Sequence, residues 1–214
     1  MFKKLATSAV TALMLTVSGA SAATLNFIGT GQTHDVTRND IDSSFNGTMD
    51  IITGDQKTNQ NGLYLDVGAG PADVTYTYLG AEAGHSNFAA AIGGGTFFNR
   101  GWLRSTPGEQ VTVRQESSGL LDFAFGTYAP WRAVGVFFND GLAYPASPSF
   151  AMGFVQIDLN SFYVLFDDIA RGDRDFDDIA IRIDVAAVPV PAGGLLLLSA
   201  LGAGLILRRR SKLA

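Results

Sequence analysis

The chain of 214 residues contains no cysteine and only two histidines, His34 and His85. The first absence excludes disulfide stapling and thiolate metal chemistry. The second leaves too few nitrogen ligands for a zinc site, which needs three or four N, S or carboxylate donors. No Gly-x-Ser-x-Gly elbow is present, and Ser86 beside His85 is not a dyad, because neighbours on a strand point to opposite faces. Glu82, Glu109 and Glu116 could pair as glycosidase carboxylates, yet any acidic chain offers such pairs. The expectation is therefore a protein that is not an enzyme. The 25 glycines follow no three-residue period, which excludes a collagen-like repeat. The Gly93-Gly94-Gly95 run lacks a following Lys and is no phosphate loop; it reads as a bulge or flexible loop.

Basic charge is scarce where it would matter. Lys3, Lys4, Arg208, Arg209, Arg210 and Lys212 occupy the two ends, which leaves nine basic residues against 20 acids in the body, a net of −11. A nucleic-acid partner is excluded on that sign, since phosphate neutralisation needs cations.

Long apolar runs occur at the two ends. After Lys3 and Lys4 an apolar stretch ends in Ala20-Ser21-Ala22-Ala23, the layout of a secretory signal peptide over residues 1–23, with cleavage after Ala22 or Ala23. Near the other end Val188-Pro189-Val190-Pro191-Ala192 precedes an uncharged apolar run, 193–207, and then Arg208-Arg209-Arg210. The 20 residues from Val188 to Leu207 reach roughly 30 Å as a helix, enough to span a bilayer. The prolines mark the entry of that helix. The positive-inside rule places the arginines in the cytoplasm and the preceding chain outside, the orientation a signal peptide also gives.

Between the ends, residues 24–187 carry short runs of period two. Val74, Tyr76 and Tyr78 alternate with Thr75 and Thr77, and Ile179, Ile181, Ile183 and Val185 with Ala180, Arg182 and Asp184. Val111 and Val113 behave likewise, and Phe123 and Phe125 flank Ala124. Further strands are expected at 25–28, 48–52, 63–67, 133–138, 150–157 and 162–166, separated by turn signals at Asn46-Gly47, Asn61-Gly62, Pro107-Gly108 and Asp140-Gly141. Residues 88–92 read as a short helical turn, and 186–188 as a short linker to the tail. About ten strands at this spacing predict an all-β antiparallel sandwich or jelly roll, with the 15 Phe filling its core, flanked by a signal helix and a transmembrane helix.

Two features of the body could carry a ligand. Asp167, Asp168, Asp173, Asp175, Asp177 and Asp178 crowd into the segment before the last strand. The alternating Asp173, Asp175 and Asp177 have the spacing of oxygens in calcium loops, although the EF-hand Gly and Glu are missing. The alternatives are a solvated charged hairpin compensated by Arg171 and Arg174, or carboxylates that hold the turn by accepting backbone N–H groups. Trp102, Trp131, Tyr128 and Tyr144 are the aromatics available for stacking on sugar rings; Tyr128 and Trp131, in a turn-like stretch, are the better pair, with core filling as the alternative.

The tail, Val188 to Ala192 followed by the apolar run and Arg208 to Arg210, resembles the PEP-CTERM sorting signals of Gram-negative bacteria in their VPLPA form, with Val190 where the commonest form has Glu. The resemblance implies recognition by an exosortase-type membrane enzyme, removal of the tail, and delivery to the cell surface or extracellular matrix. The acidic segment leading into Ile179-Ala180-Ile181, together with Tyr76-Thr77-Tyr78-Leu79-Gly80-Ala81-Glu82-Ala83-Gly84, resembles the DUF4114-like β domain of such proteins. That implies a matrix or adhesive module, with extracellular polysaccharide as a partner and a calcium-dependent lectin as the alternative.

Overall fold

The computed structural model describes residues 22–29, 31–54, 61–129, 132–144, 150–168 and 174–188. The apolar segments at both ends, Pro189 to Ala192 and Arg208 to Arg210 lie outside these residues. Among the described residues no helix is long and apolar enough to cross a membrane.

The described chain is all-β, with one 3-10 turn at Ser43–Phe45. In chain order its strands are β1 Thr24–Ile28, β2 Thr33–Val36, β3 Gly47–Thr53, β4 Gly62–Asp66, β5 Ala72–Gly80, β6 Asn87–Ala91, β7 Gly95–Phe98 and β8 Gln110–Gln115. There follow β9 Gly119–Leu120, β10 Phe123–Ala129, β11 Arg132–Phe138, β12 Ala143–Tyr144, β13 Ala151–Asp158, β14 Ser161–Asp167 and β15 Ile179–Ala187. Every pairing is antiparallel. A seven-stranded sheet runs β2-β3-β13-β14-β15-β5-β8, a five-stranded sheet β12-β11-β10-β6-β7, and a three-stranded sheet β1-β4-β9.

The two smaller sheets lie against one face of the large one, an arrangement consistent with a β-sandwich. Phe125 of β10 stacks on Phe166 of β14 at 5.3 Å, Tyr78 of β5 on Phe97 of β7 at 5.9 Å, and Phe27 of β1 tilts over Phe154 of β13 at 4.7 Å. Period two explains this core. On β5, Ala72, Val74, Tyr76 and Tyr78 are buried while Asp73, Thr75 and Thr77 face outward. Each buried aromatic contributes on the order of 2–3 kcal/mol. Strand β14 and the first half of β13, Ala151 to Phe154, are buried on both faces and read as nearly continuous apolar runs. Their second face carries a smaller core of Val36, Phe45, Met49, Ile51, Ala151, Leu165, Phe176 and Ala180.

Two expectations need correction. Residues 88–92 form no helical turn: β6 covers Asn87–Ala91 and pairs with β10 and β7. Its Asn-Phe-Ala-Ala-Ala sequence carries helix-forming alanines, and hydrogen bonding to two neighbours overrides that preference. Residues 186 and 187 are not a linker either, because Ala186 pairs with Asp73 and Ala187 with Ala72 in the last rungs of β15. The triple glycine is the turn of the β6–β7 hairpin, and it lies directly on β8. A Cβ on Gly94 would sit 2.6 Å from both Val111 Cγ1 and Val113 Cγ2. Ala23, just ahead of β1, is 1% exposed in the main core.

One buried side chain ties the three-stranded sheet down. Asn139, in the turn after β11, donates from Nδ2 to the carbonyls of Leu63 and Leu121 at 3.0 and 2.9 Å. Its Oδ1 accepts the Leu63 N–H at 2.8 Å. Gly62, at φ +130°, permits this approach, because a Cβ there would collide with the Asn139 carbonyl oxygen.

Candidate functional site

The acidic segment between β14 and β15 is built into the domain. Asp167, Asp168 and Asp177 are buried, and Asp175 and Asp178 are half-buried. The anchor is Phe176, fully buried in the smaller core and held at φ +57°. Its ring lies 5.6 Å from that of His34, whose Nε2 is 3.2 Å from the Arg174 carbonyl oxygen. An aromatic residue in the left-handed region is costly. Burial of the ring offsets that cost here.

A distant segment completes the clamp. Asn39, buried between β2 and the 3-10 turn, donates from Nδ2 to the carbonyls of Asp175 and Phe176 at 3.0 and 3.1 Å. Its Oδ1 accepts the N–H groups of Ile41 and Asp42. The Asp40 N–H donates to Asp177 Oδ2 at 3.1 Å, and the Glu82 N–H donates to the Asp177 carbonyl at 2.7 Å. These bonds bring three carboxylates together: Asp40, Glu82 and Asp177 each offer an oxygen within 4.8 Å of the others. Arg38, forked onto Asp40 with two contacts of 2.7 Å, offsets one of the charges.

The remaining carboxylates form a second grouping. Asp178 Oδ2 accepts the Asp168 N–H at 2.7 Å. His85 Nδ1 lies 3.7 Å from Asp168 Oδ1, while Asp168 Oδ2 is buried with no hydrogen-bond partner among the described residues. Burial pushes Asp177 up to about 7, aided by Asp175 and Glu82 and opposed by the Asp40 N–H. Burial likewise pushes Asp178 up to about 8, opposed by the Asp168 N–H and reinforced by Asp168, Asp167 and Asp175. Carboxyls so placed either hold protons near neutrality or surrender them to a cation.

The donor set suits a hard cation. Ca²⁺ takes six to eight oxygens, and Asp40, Glu82 and Asp177 each offer one to a common centre. Of the sequence-derived set Asp167, Asp168, Asp173, Asp175, Asp177 and Asp178, the structure directs Asp177 to this trio and pairs Asp178 with Asp168. Asp173 lies outside the described residues. Asp40 and Asn39 carried no signal in the sequence, since they stand some 137 residues from their partners. Glu82 was visible only as one of several acids.

The aromatic candidates separate clearly. Tyr128, near the end of β10, is half-buried; it meets Phe98 edge-on at 5.6 Å, and its hydroxyl donates to the Arg100 carbonyl at 2.7 Å. Trp131 lies outside the described residues. Tyr144 on β12 is 62% exposed, and Trp102, in the loop between β7 and β8, is 88% exposed. Glu109 accepts the Thr106 N–H within its own turn. Comparison with known proteins finds no matching family model, no matching curated protein and no matching solved structure.

Proposed function

We propose that this chain is an exported surface or extracellular-matrix protein. A signal peptide takes it through the inner membrane. The apolar run 193–207, as a transmembrane helix, holds it there until an exosortase-type enzyme reads Val188 to Ala192 and removes the tail. The body, a β-sandwich or jelly roll, then serves as a structural or adhesive module among envelope polysaccharides. The reading is carried by the order of the tail, a Pro-containing motif, one membrane-length apolar run and a cationic stop. The strand content of the body suits a rigid exported module.

Trypsin added to intact cells is expected to digest the body, and Pro189→Ala with Pro191→Ala to abolish release into the medium. Mature protein whose mass still includes Ala214 would overturn the reading.

The convergence of Asp40, Glu82 and Asp177 supports a second reading, a calcium-dependent carbohydrate-binding domain. A glycan panel probed with and without chelator separates the two, because the second reading requires sugar binding that chelator abolishes. If calcium binds the folded state, millimolar Ca²⁺ raises the melting temperature; a chelator-insensitive melting temperature sinks this reading.

A further inference from the structure

The loop between β7 and β8 breaks two habits of this domain. The body is strongly acidic, and three of its described arginines, Arg38, Arg114 and Arg182, are each tied to an aspartate. Arg100 and Arg104, both on this loop, make no such ion pair among the described residues. Between them Trp102 stands 88% exposed and Leu103 49% exposed, although large aromatics are ordinarily well covered.

The exposure belongs to a pinned structure. Both legs of the loop are fastened below the tip. Asn99, buried, receives the Asn87 N–H on Oδ1 at 2.7 Å and donates from Nδ2 to the His85 carbonyl at 3.0 Å. Ser105, buried, donates its N–H to the Phe98 carbonyl at 2.8 Å. The Arg100 guanidinium donates to the Ala83 carbonyl, and the Arg100 carbonyl accepts the Tyr128 hydroxyl. A turn from Gly101 (φ +86°) to Arg104, closed by the Arg104 N–H on the Gly101 carbonyl at 3.3 Å, lifts Trp102 and Leu103 to the tip. A tip already ordered pays little entropy on binding.

We infer that this loop is a binding site for an anionic polysaccharide. The indole offers a flat face to a sugar ring, and the flanking guanidiniums offer forks to uronate carboxylates. The inference deepens the matrix reading proposed above and rests on it for placement. The tail leaves β15 after Ala187, whereas the loop is tied to Ala83 and His85, beside Glu82 and Asp177 at the start of β15. Nine strand residues, roughly 30 Å, therefore separate the loop from the membrane exit, which favours an extracellular polymer over a lipid surface. Glu82 and Glu109 on neighbouring turns confine an anionic chain to the Arg-Trp-Arg tip.

The test uses the full chain in phosphatidylcholine nanodiscs, probed with alginate (a polyuronate), with uncharged dextran, and with phosphatidylglycerol vesicles. Alginate binding that weakens about ten-fold in Trp102→Ala, and loses salt sensitivity in Arg104→Gln, is expected, with dextran bound far less. Both variants should melt with the parent, since Trp102 and Arg104 are exposed. Equal alginate binding by parent and Trp102→Ala overturns the inference, as does dextran binding equal to alginate binding. Preference for phosphatidylglycerol vesicles overturns it in favour of a lipid contact. The trypsin and release experiments judge surface delivery separately, so the two failures are distinguishable.

Discussion

The Val188 N–H donates to the Pro71 carbonyl at 2.9 Å, which makes the first residue of the Val-Pro-Val-Pro-Ala motif the continuation of the β15–β5 ladder. The motif and the folded sheet therefore abut, on a strand flanked by β14 and β5. A six-residue Gly/Ser insertion between Val188 and Pro189 is expected to leave the melting temperature within about 2 °C, because no rung is lost. Under the proposed processing it should also speed release of the body, since a sorting enzyme would then work farther from the end of β15. The same insertion between Ile183 and Asp184 breaks a central strand, and soluble folded protein should be lost. Thermal melts and immunoblots of the medium read both outcomes.

Asn139 holds β4 to the turn after β11 through two bonds to Leu63 and adds a third to the Leu121 carbonyl. Asn139→Ala removes the partner of the Leu63 N–H and of the Leu121 carbonyl, while the Leu63 carbonyl keeps the Leu121 N–H at 2.9 Å. The expected loss is about 2–3 kcal/mol, read from urea unfolding midpoints at constant m-value. A loss under 0.5 kcal/mol would mean that water replaces the amide.

Phe176 sits at the centre of the acidic turn with no exposure and a positive φ. Phe176→Ala removes a ring from the smaller core, at a cost of about 3–4 kcal/mol. It should also raise hydrogen exchange at residues 174–178 above that of β15, because the turn loses its anchor while the strand keeps both neighbours. Uniform exchange across the two segments would argue against a local anchoring role.

Asp177 and Asp178 predict a pH dependence of definite sign. Both carboxyls titrate higher in the folded state, about 7 and 8, than the ordinary value of 3.8. The folded state therefore holds more protons than the unfolded chain between about pH 4 and 8, and stability falls as pH rises through that window. In chelator, the melting temperature is expected to drop by about 3–6 °C between pH 5 and pH 8. Asp178→Asn, which cannot ionise, should shrink that drop. An unchanged slope in this variant would remove Asp178 as its source.

Much of the fold was legible because burial on one face imposes period two. Val74, Tyr76 and Tyr78 alternate with threonines along β5, and Ile181, Ile183 and Val185 with polar residues along β15; both strands lie where that pattern places them. β6 was not legible, because three consecutive alanines record neither face and its strand form comes from the hydrogen bonds of β10 and β7. The one-residue-apart aspartates were visible as a cluster, but their grouping was not.

The amino-acid sequence alone determined the strand-forming alternation, the acidic balance and the order of apolar runs and basic residues at the two ends, since each depends on residues near one another along the chain. Tertiary structure decided which carboxylates meet. Asp40, Glu82 and Asp177 converge because Asn39 and Phe176 fasten segments 137 residues apart. It also decided that Trp102 stands in solvent while Tyr128 lies against the sheet. Exposure and long-range convergence are properties of packing between strands, which no local pattern encodes.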